Sequence, residues 1–150
     1  MHLITETLLV GNINDAKAPP VKIGALLLVA AEYTLEPPSW LSYGWIPFSE
    51  YADAEPLLLD RAVHWVEQHL SHNRVMVCCR AGMGRSVSVV MAYLCCVEGM
   101  TYDEVLKLVM KRRPVAMPLP NLEKAITQVR LLRAARAKDK KPRATRPARA

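Results

Sequence analysis

The sequence predicts a single α/β domain, a largely parallel central sheet flanked by helices. Two observations carry this. Apolar runs of strand length alternate with longer stretches of helical spacing. A chain of 150 residues that is 51% hydrophobic is long enough for one compact core and short for two.

The elements follow in order. "TLLVG" (residues 7–11) and "IGALLLVAA" (23–31) read as short buried strands, with "YGWIPF" (43–48) as a third before the acidic stretch "SEYADAE". Pro56 suits the first turn of a helix, and Val63, Val66 and Leu70 recur along it at helical spacing until "SHN" breaks it. "RVMVC" (74–78) reads as a buried central strand. After a short loop, residues 86–97 form a helix closed by Gly99, where a glycine C-cap belongs. Thr101 and Glu104 make a capping box for a further helix that Pro114 ends. "PVAMPLP" is an extended linker, and Asn121 caps a last helix bearing Leu122, Ile126, Val129 and Leu132.

Composition divides the chain after Leu132. From Arg133 onward eight basic residues and one acid give +7, against a formal +6 for the whole chain, so residues 1–132 are nearly neutral. The segment 133–150 has no aromatic and no large aliphatic residue, so it cannot bury enough surface to offset ordering. It reads as frayed helix passing into a disordered basic tail. Electrostatic attachment to anionic lipid or nucleic acid is its functional reading, a solvated terminus the plainer one. The opening "MHLITETLLVGN" lacks the basic start and sustained apolar core of a secretory signal. The apolar stretch 87–97 is too short to span a bilayer. Four cysteines lie in two adjacent pairs, Cys78–Cys79 and Cys95–Cys96, without C-x-x-C spacing. A reducing cytoplasm is the expected setting, with no metal, no cofactor and no specific nucleic-acid site.

The chemistry concentrates in "CRAGMGRS". In parallel sheets ligands bind beyond the carboxyl ends of strands, where a following helix points its N-terminus. The loop of Arg80, Ala81, Gly82, Met83, Gly84 and Arg85 sits at that place and can curl so that successive amides face one point. Gly82 and Gly84 permit such a curl. A thiol at its base, Cys79, would feel the same positive potential and favour the thiolate. Arg85, six positions on, can fold back and grip two phosphoryl oxygens with its planar fork. Ser86 can hydrogen-bond the sulfur and ease its departure. Together these make a phosphoryl-transfer site that needs no metal.

"VCCRAGMGRS" resembles the signature of the protein tyrosine phosphatase superfamily: cysteine, five residues, arginine, then serine or threonine. "ITETLLVGNINDA", "SVVMAYL" and "MTYDEVLKLVMKRRPVAMPLPN" are similar to segments of its dual-specificity group, so the likeness covers nearly all of residues 3–132. The resemblance implies a protein tyrosine phosphatase-like fold and a two-step reaction. Cys79 attacks phosphorus, Arg85 and the loop amides hold the equatorial oxygens, and water hydrolyses the cysteinyl-phosphate. It also implies a carboxylic acid on the loop after the third strand. Ungapped alignment back from the Val63 helix sets Glu50 opposite that acid, whereas Asp53 has the side chain the family normally uses. We take Asp53 as the acid and Glu50 as the alternative.

Three positions depart from the family pattern. Cys78 stands where a histidine usually precedes the nucleophile. Leu119 occupies the place of an asparagine, with Asn121 two residues on. Met83 sits at the loop centre, where some lipid phosphatases carry a base. Arg80, directly after Cys79, can line the pocket mouth and bias it towards acidic substrates or anionic lipid. The expected activity is therefore hydrolysis of phosphotyrosine and phosphoserine/threonine in proteins or peptides. The alternatives are a phosphoinositide or phospholipid-headgroup phosphatase and a phosphate-binding module without turnover.

Overall fold

The computed structural model describes residues 1–140. Among them are five strands: β1 (His2–Leu3), β2 (Leu8–Gly11), β3 (Ala25–Leu28), β4 (Ser42–Trp45) and β5 (Val75–Cys78). The five helices are α1 (Ile13–Lys17), α2 (Pro56–Leu70), α3 (Arg85–Cys96), α4 (Tyr102–Arg112) and α5 (Leu122–Lys140). The strands form one mixed sheet in the order β1-β2-β5-β3-β4, in which only β1 runs antiparallel to its neighbour.

Burial explains the order. Leu8–Gly11, Ala25–Leu28 and Val75–Cys78 are buried along their whole lengths, as continuous apolar runs in a parallel sheet must be. They take the three central places, with β5 in the middle. Ser42–Trp45, half exposed, lies at the edge. Helices α1, α2 and α3 pack on the strands, α4 packs on α3, and α5 packs on α2 and α3.

The register sets up the site. Cys78 pairs with Gly11 on one side and Leu28 on the other, and Leu28 pairs with Trp45. Four parallel strands therefore end in one row, and the loops that leave it converge.

Local signals account for the helix ends. Pro56 starts α2 at its first turn, where a missing N–H costs nothing. Thr101 and Glu104 cap α4 reciprocally, and Gly99 turns the chain before it at φ 75°. Asn12 and Asp15 form a second capping box around α1, a short helix that apolar periodicity does not reveal because only Ile13 and Ala16 are buried. Asn121 stands directly before α5, and its carbonyl accepts from Ala125 N at 3.0 Å, while its side chain is engaged elsewhere. It adopts φ 59° and its side-chain amide donates to Asp53 Oδ2 at 2.9 Å.

Helix α5 continues past Leu132 to Lys140, where Arg133 Nη2 donates to both oxygens of Glu67 at 3.0 Å and Arg136 forks Asp60 at 2.7 Å. Ion pairing to α2 supplies what apolar burial does not. The tail residues 141–150 lie outside the described residues. No described helix is long and apolar enough to cross a membrane.

Candidate active site

The loop between β5 and α3 is built from polarity alone. Each of its carbonyls from residue 80 to 84 accepts a bond directed away from the loop. Ile13 N donates to Arg80 O at 3.1 Å, Arg113 Nη2 to Ala81 O at 3.2 Å, and Arg113 Nε to Gly82 O. Met117 N donates to Met83 O at 2.7 Å, and both the amide and the hydroxyl of Ser88 donate to Gly84 O. No peptide bond is cis, so each carbonyl points opposite to the N–H of the next residue. Five carbonyls turned outward put the amides of residues 81–85 on the inner side. Among the described residues the amides of residues 80–84 donate to no protein group. That is an anion-binding concavity.

Gly82 allows the curl. Its φ is 65°, and a Cβ there would sit 2.7 Å from Gly11 O and 2.8 Å from Arg113 Nη2. Any side chain would push the loop off both supports.

Cys79 lies at the base of this concavity, 3% exposed, with its amide tied to Gly11 O at 3.3 Å. Ser86 Oγ stands 3.1 Å from its Sγ. Arg85 is 2% exposed and its guanidinium is heavily engaged. Nη1 donates to Glu32 Oε2 at 2.6 Å and to Phe48 O at 3.0 Å, and Nη2 donates to Glu32 Oε1 at 2.5 Å. The Nε edge has no partner among the described residues. Held by one edge, the fork presents the other.

Glu32 shows the same contact from its own side. The hydrogen bond from Arg85 holds its carboxyl below the usual range, against the opposing effect of burial. Burial pushes the Cys78 thiol well above its ordinary value, so it stays protonated at neutral pH. Arg113 is a buried cation, 6% exposed. Besides the loop carbonyls it meets the Nδ1 of His2, whose imidazole is kept neutral by burial and by that guanidinium. His2 is thus engaged rather than merely solvated.

A cavity of about 340 Å³ opens above the sulfur. Cys79, Ala81, Met83, Gly84 and Arg85 form its floor, while Met117, Pro118, Leu119 and Pro120 form an apolar wall. Glu50 and Tyr51 close the third side. Glu50 Oε2 lies 3.1 Å from Arg80 Nη1 and 3.9 Å from Arg85 Nη2. Asp53 is outside this cavity, hydrogen-bonded to Asn121 in a separate hollow bordered by Pro56 and Lys124.

Of the residues singled out in the sequence, Cys79, Ala81, Gly82, Met83, Gly84, Arg85 and Ser86 come together here. Glu50 joins them and Asp53 does not. Arg80 is half exposed at the rim and bound to Glu50. Glu32 and Arg113 were not found in the sequence. They lie 53 positions before Arg85 and 31 after Gly82, and only the strand order brings them in. The sequence marks Arg113 only through the Arg113–Pro114 pair within the segment that resembles the dual-specificity group.

Known proteins agree with this geometry. Over a 67-residue stretch the chain is 34% identical to dual specificity protein phosphatase 15 of Rattus norvegicus and 33% identical to that of Mus musculus. That stretch is 44% of this chain and only 28% of the length of either relative. Among solved structures, human DUSP28 superposes with TM-score 0.78 at 18% identity, over 91% of this chain and 99% of the other. PTPMT1 in complex with PI(5)P superposes with TM-score 0.74 at 19% identity, over 91% and 97% of the two chains. These likenesses show the fold. The model of the dual specificity phosphatase catalytic domain matches residues 13–130, from the first turn of α1 to the middle of α5 and across the whole loop from Arg80 to Arg85, and the chain belongs to that family.

Proposed function

We propose that this protein is a cysteine-dependent phosphatase that hydrolyses phosphomonoesters, phosphotyrosine and phosphoserine/threonine in proteins or peptides, through a cysteinyl-phosphate. One observation carries the reading: the loop's five carbonyls turn outward, so that its amides face a cavity lined by Cys79 and Arg85.

The Cys79 thiolate attacks phosphorus and the bond from phosphorus to the ester oxygen breaks. Glu50 gives that oxygen its proton, the role for which its position in the cavity favours it over Asp53. Water then attacks phosphorus and yields a proton to Glu50 while the phosphorus–sulfur bond breaks. The Ser86 hydroxyl donates to the departing thiolate. Amides of residues 81–85 and Arg85 hold the equatorial oxygens in both transition states.

Cleavage of a phospholipid headgroup is the second reading, and the PTPMT1 likeness is compatible with it. Its support here is thinner. Arg80 is tied to Glu50, Met83 fills the loop centre, and Arg133 and Arg136 are committed to Glu67 and Asp60.

The test is hydrolysis of nitrophenyl phosphate in chelator, with the acid-quenched protein weighed for a phosphoryl adduct. Activity lost in Cys79→Ser and kept in Cys78→Ala supports the proposal. Retained phosphopeptide binding without turnover in the wild type points instead to a binding module. Phosphate released from inositol-lipid micelles and not from phosphopeptides favours the lipid reading.

A further inference from the structure

The loop that holds a phosphoryl group must keep its amides inward, and that form is stable only if the carbonyls on its outer side are satisfied. Three of the five obtain partners from backbone amides or from the helix that follows. The remaining two, Ala81 O and Gly82 O, are adjacent and lie at the crown of the curl. Both depend on one side chain, the guanidinium of Arg113.

We propose that Arg113 is a positioning residue that locks the phosphate loop in its anion-binding form and thereby sets the affinity of the site for tetrahedral dianions. This rests on the phosphatase reading above and extends it to a residue outside the cavity.

Three features support the role. Arg113 is 6% exposed, and a buried guanidinium is retained only where several acceptors meet it. Its planar fork donates from Nε and Nη2 to carbonyls of consecutive residues, a match that a lysine ammonium cannot reproduce. It is itself rigidly held. Its amide donates to Val109 O at 2.8 Å at the end of α4, its carbonyl accepts from Ala116 N at 2.9 Å, and its third nitrogen meets His2. The strap from residue 113 to 117 then bonds to Met83 O, so one short segment clasps the loop at three successive carbonyls.

If one donor is lost, a crown carbonyl must turn towards solvent. Its peptide plane then flips, and the amide on the other side leaves the pocket. The loop would not unfold, because Ile13, Met117 and Ser88 still hold its shoulders. It would sample forms in which fewer amides face the anion, and apparent affinity falls with that fraction.

The experiment uses the full chain, tungstate as a tetrahedral dianion, and protection of Cys79 from iodoacetamide as the readout. Thermal midpoint and the kcat and KM for nitrophenyl phosphate are measured alongside. Arg113→Lys keeps the charge and loses the fork. Its half-protecting tungstate concentration should rise on the order of tenfold, from one unsatisfied carbonyl. KM should rise with it, and Arg113→Met should show a larger rise. A residue that merely stabilises the fold would lower the thermal midpoint without moving either quantity in the folded protein. Should Arg113→Met not fold, Arg113→Lys decides alone. Wild-type protection in Arg113→Lys overturns the proposal, and lack of protection in the wild type overturns both readings. Protection without hydrolysis in the wild type removes the phosphatase reading, while the Arg113 variants are still judged on tungstate.

Discussion

Glu32 takes the Nη1–Nη2 edge of Arg85 with both carboxylate oxygens, at 2.6 and 2.5 Å, and leaves Nε, on a side chain that lines the cavity, without a partner among the described residues. A guanidinium free to rotate would offer either edge to a phosphoryl group. This one is fixed in advance, so less entropy is lost when it engages the substrate. Glu32→Gln can bond only one nitrogen through its carbonyl oxygen. We expect kcat/KM for nitrophenyl phosphate to fall about tenfold or more, and the thermal midpoint at neutral pH to fall by a small but measurable amount, because the carboxylate is part exposed.

The same pair sets a pH dependence of stability. The carboxyl of Glu32 is held below its ordinary 4.5 by the bond from Arg85. A lowered native pKa means that its stabilising effect is fully present above that ordinary value and is lost as pH falls through the native one. The thermal midpoints of wild type and Glu32→Gln should therefore differ most at neutral pH and converge in acid. A gap that stays constant down to pH 3 would sink this assignment.

Glu50 and Asp53 can be separated by leaving-group chemistry. With phosphotyrosine or phosphothreonine peptides, Glu50→Gln should lose roughly 10²-fold or more in kcat, and Asp53→Asn should remain near wild type. With an ester whose alcohol is already acidic, the Glu50→Gln deficit should shrink, since departure then needs no proton. A large loss in Asp53→Asn would return the role to that residue.

The two adjacent cysteines should react very differently. Burial keeps the Cys78 thiol protonated well past neutral pH, and it is fully enclosed in β5. Alkylation at pH 7.5 followed by peptide mass analysis should label Cys79 and leave Cys78 untouched. Labelling of both at similar rates would show that β5 opens readily.

Arg133 and Arg136 fix the last visible turns of α5 on α2. Replacing both by methionine removes two part-exposed ion pairs and should cost about 1 kcal/mol in total. The thermal midpoint should fall by a few degrees, while kcat/KM stays the same, because neither residue approaches the cavity.

What the sequence makes legible is whatever depends on near neighbours. Strand, glycine-bearing loop, arginine and helix are consecutive, so the surroundings of Cys79 can be read from ten letters. The capping box at Thr101 and the proline at the start of α2 are local in the same way. Glu32 and Arg113 are not. Nothing in "AAEYT" or "KRRPV" marks one acid or one base for burial against a loop many residues distant. Their partners follow from β3 and β5 lying side by side and from α4 ending beside the loop. The choice between Glu50 and Asp53 is hard to read from the sequence for a related reason. Three residues apart, the two acids are divided by Tyr51, whose φ of 61° reverses the chain between them. Helix α5 outran its composition because charge pairing, rather than apolar burial, holds its end.

The strand that leads into Cys79 has hydrogen-bonded neighbours on both sides, β2 and β3. Peeling away either border of the sheet leaves it clamped, so the Cys79 sulfur belongs to the last part of the molecule to come apart. Deuterium should enter the amides of Val75–Cys78 later than those of β1 or β4. Mild heat or denaturant should blunt the rim of the pocket well before it loosens the seat of the thiol.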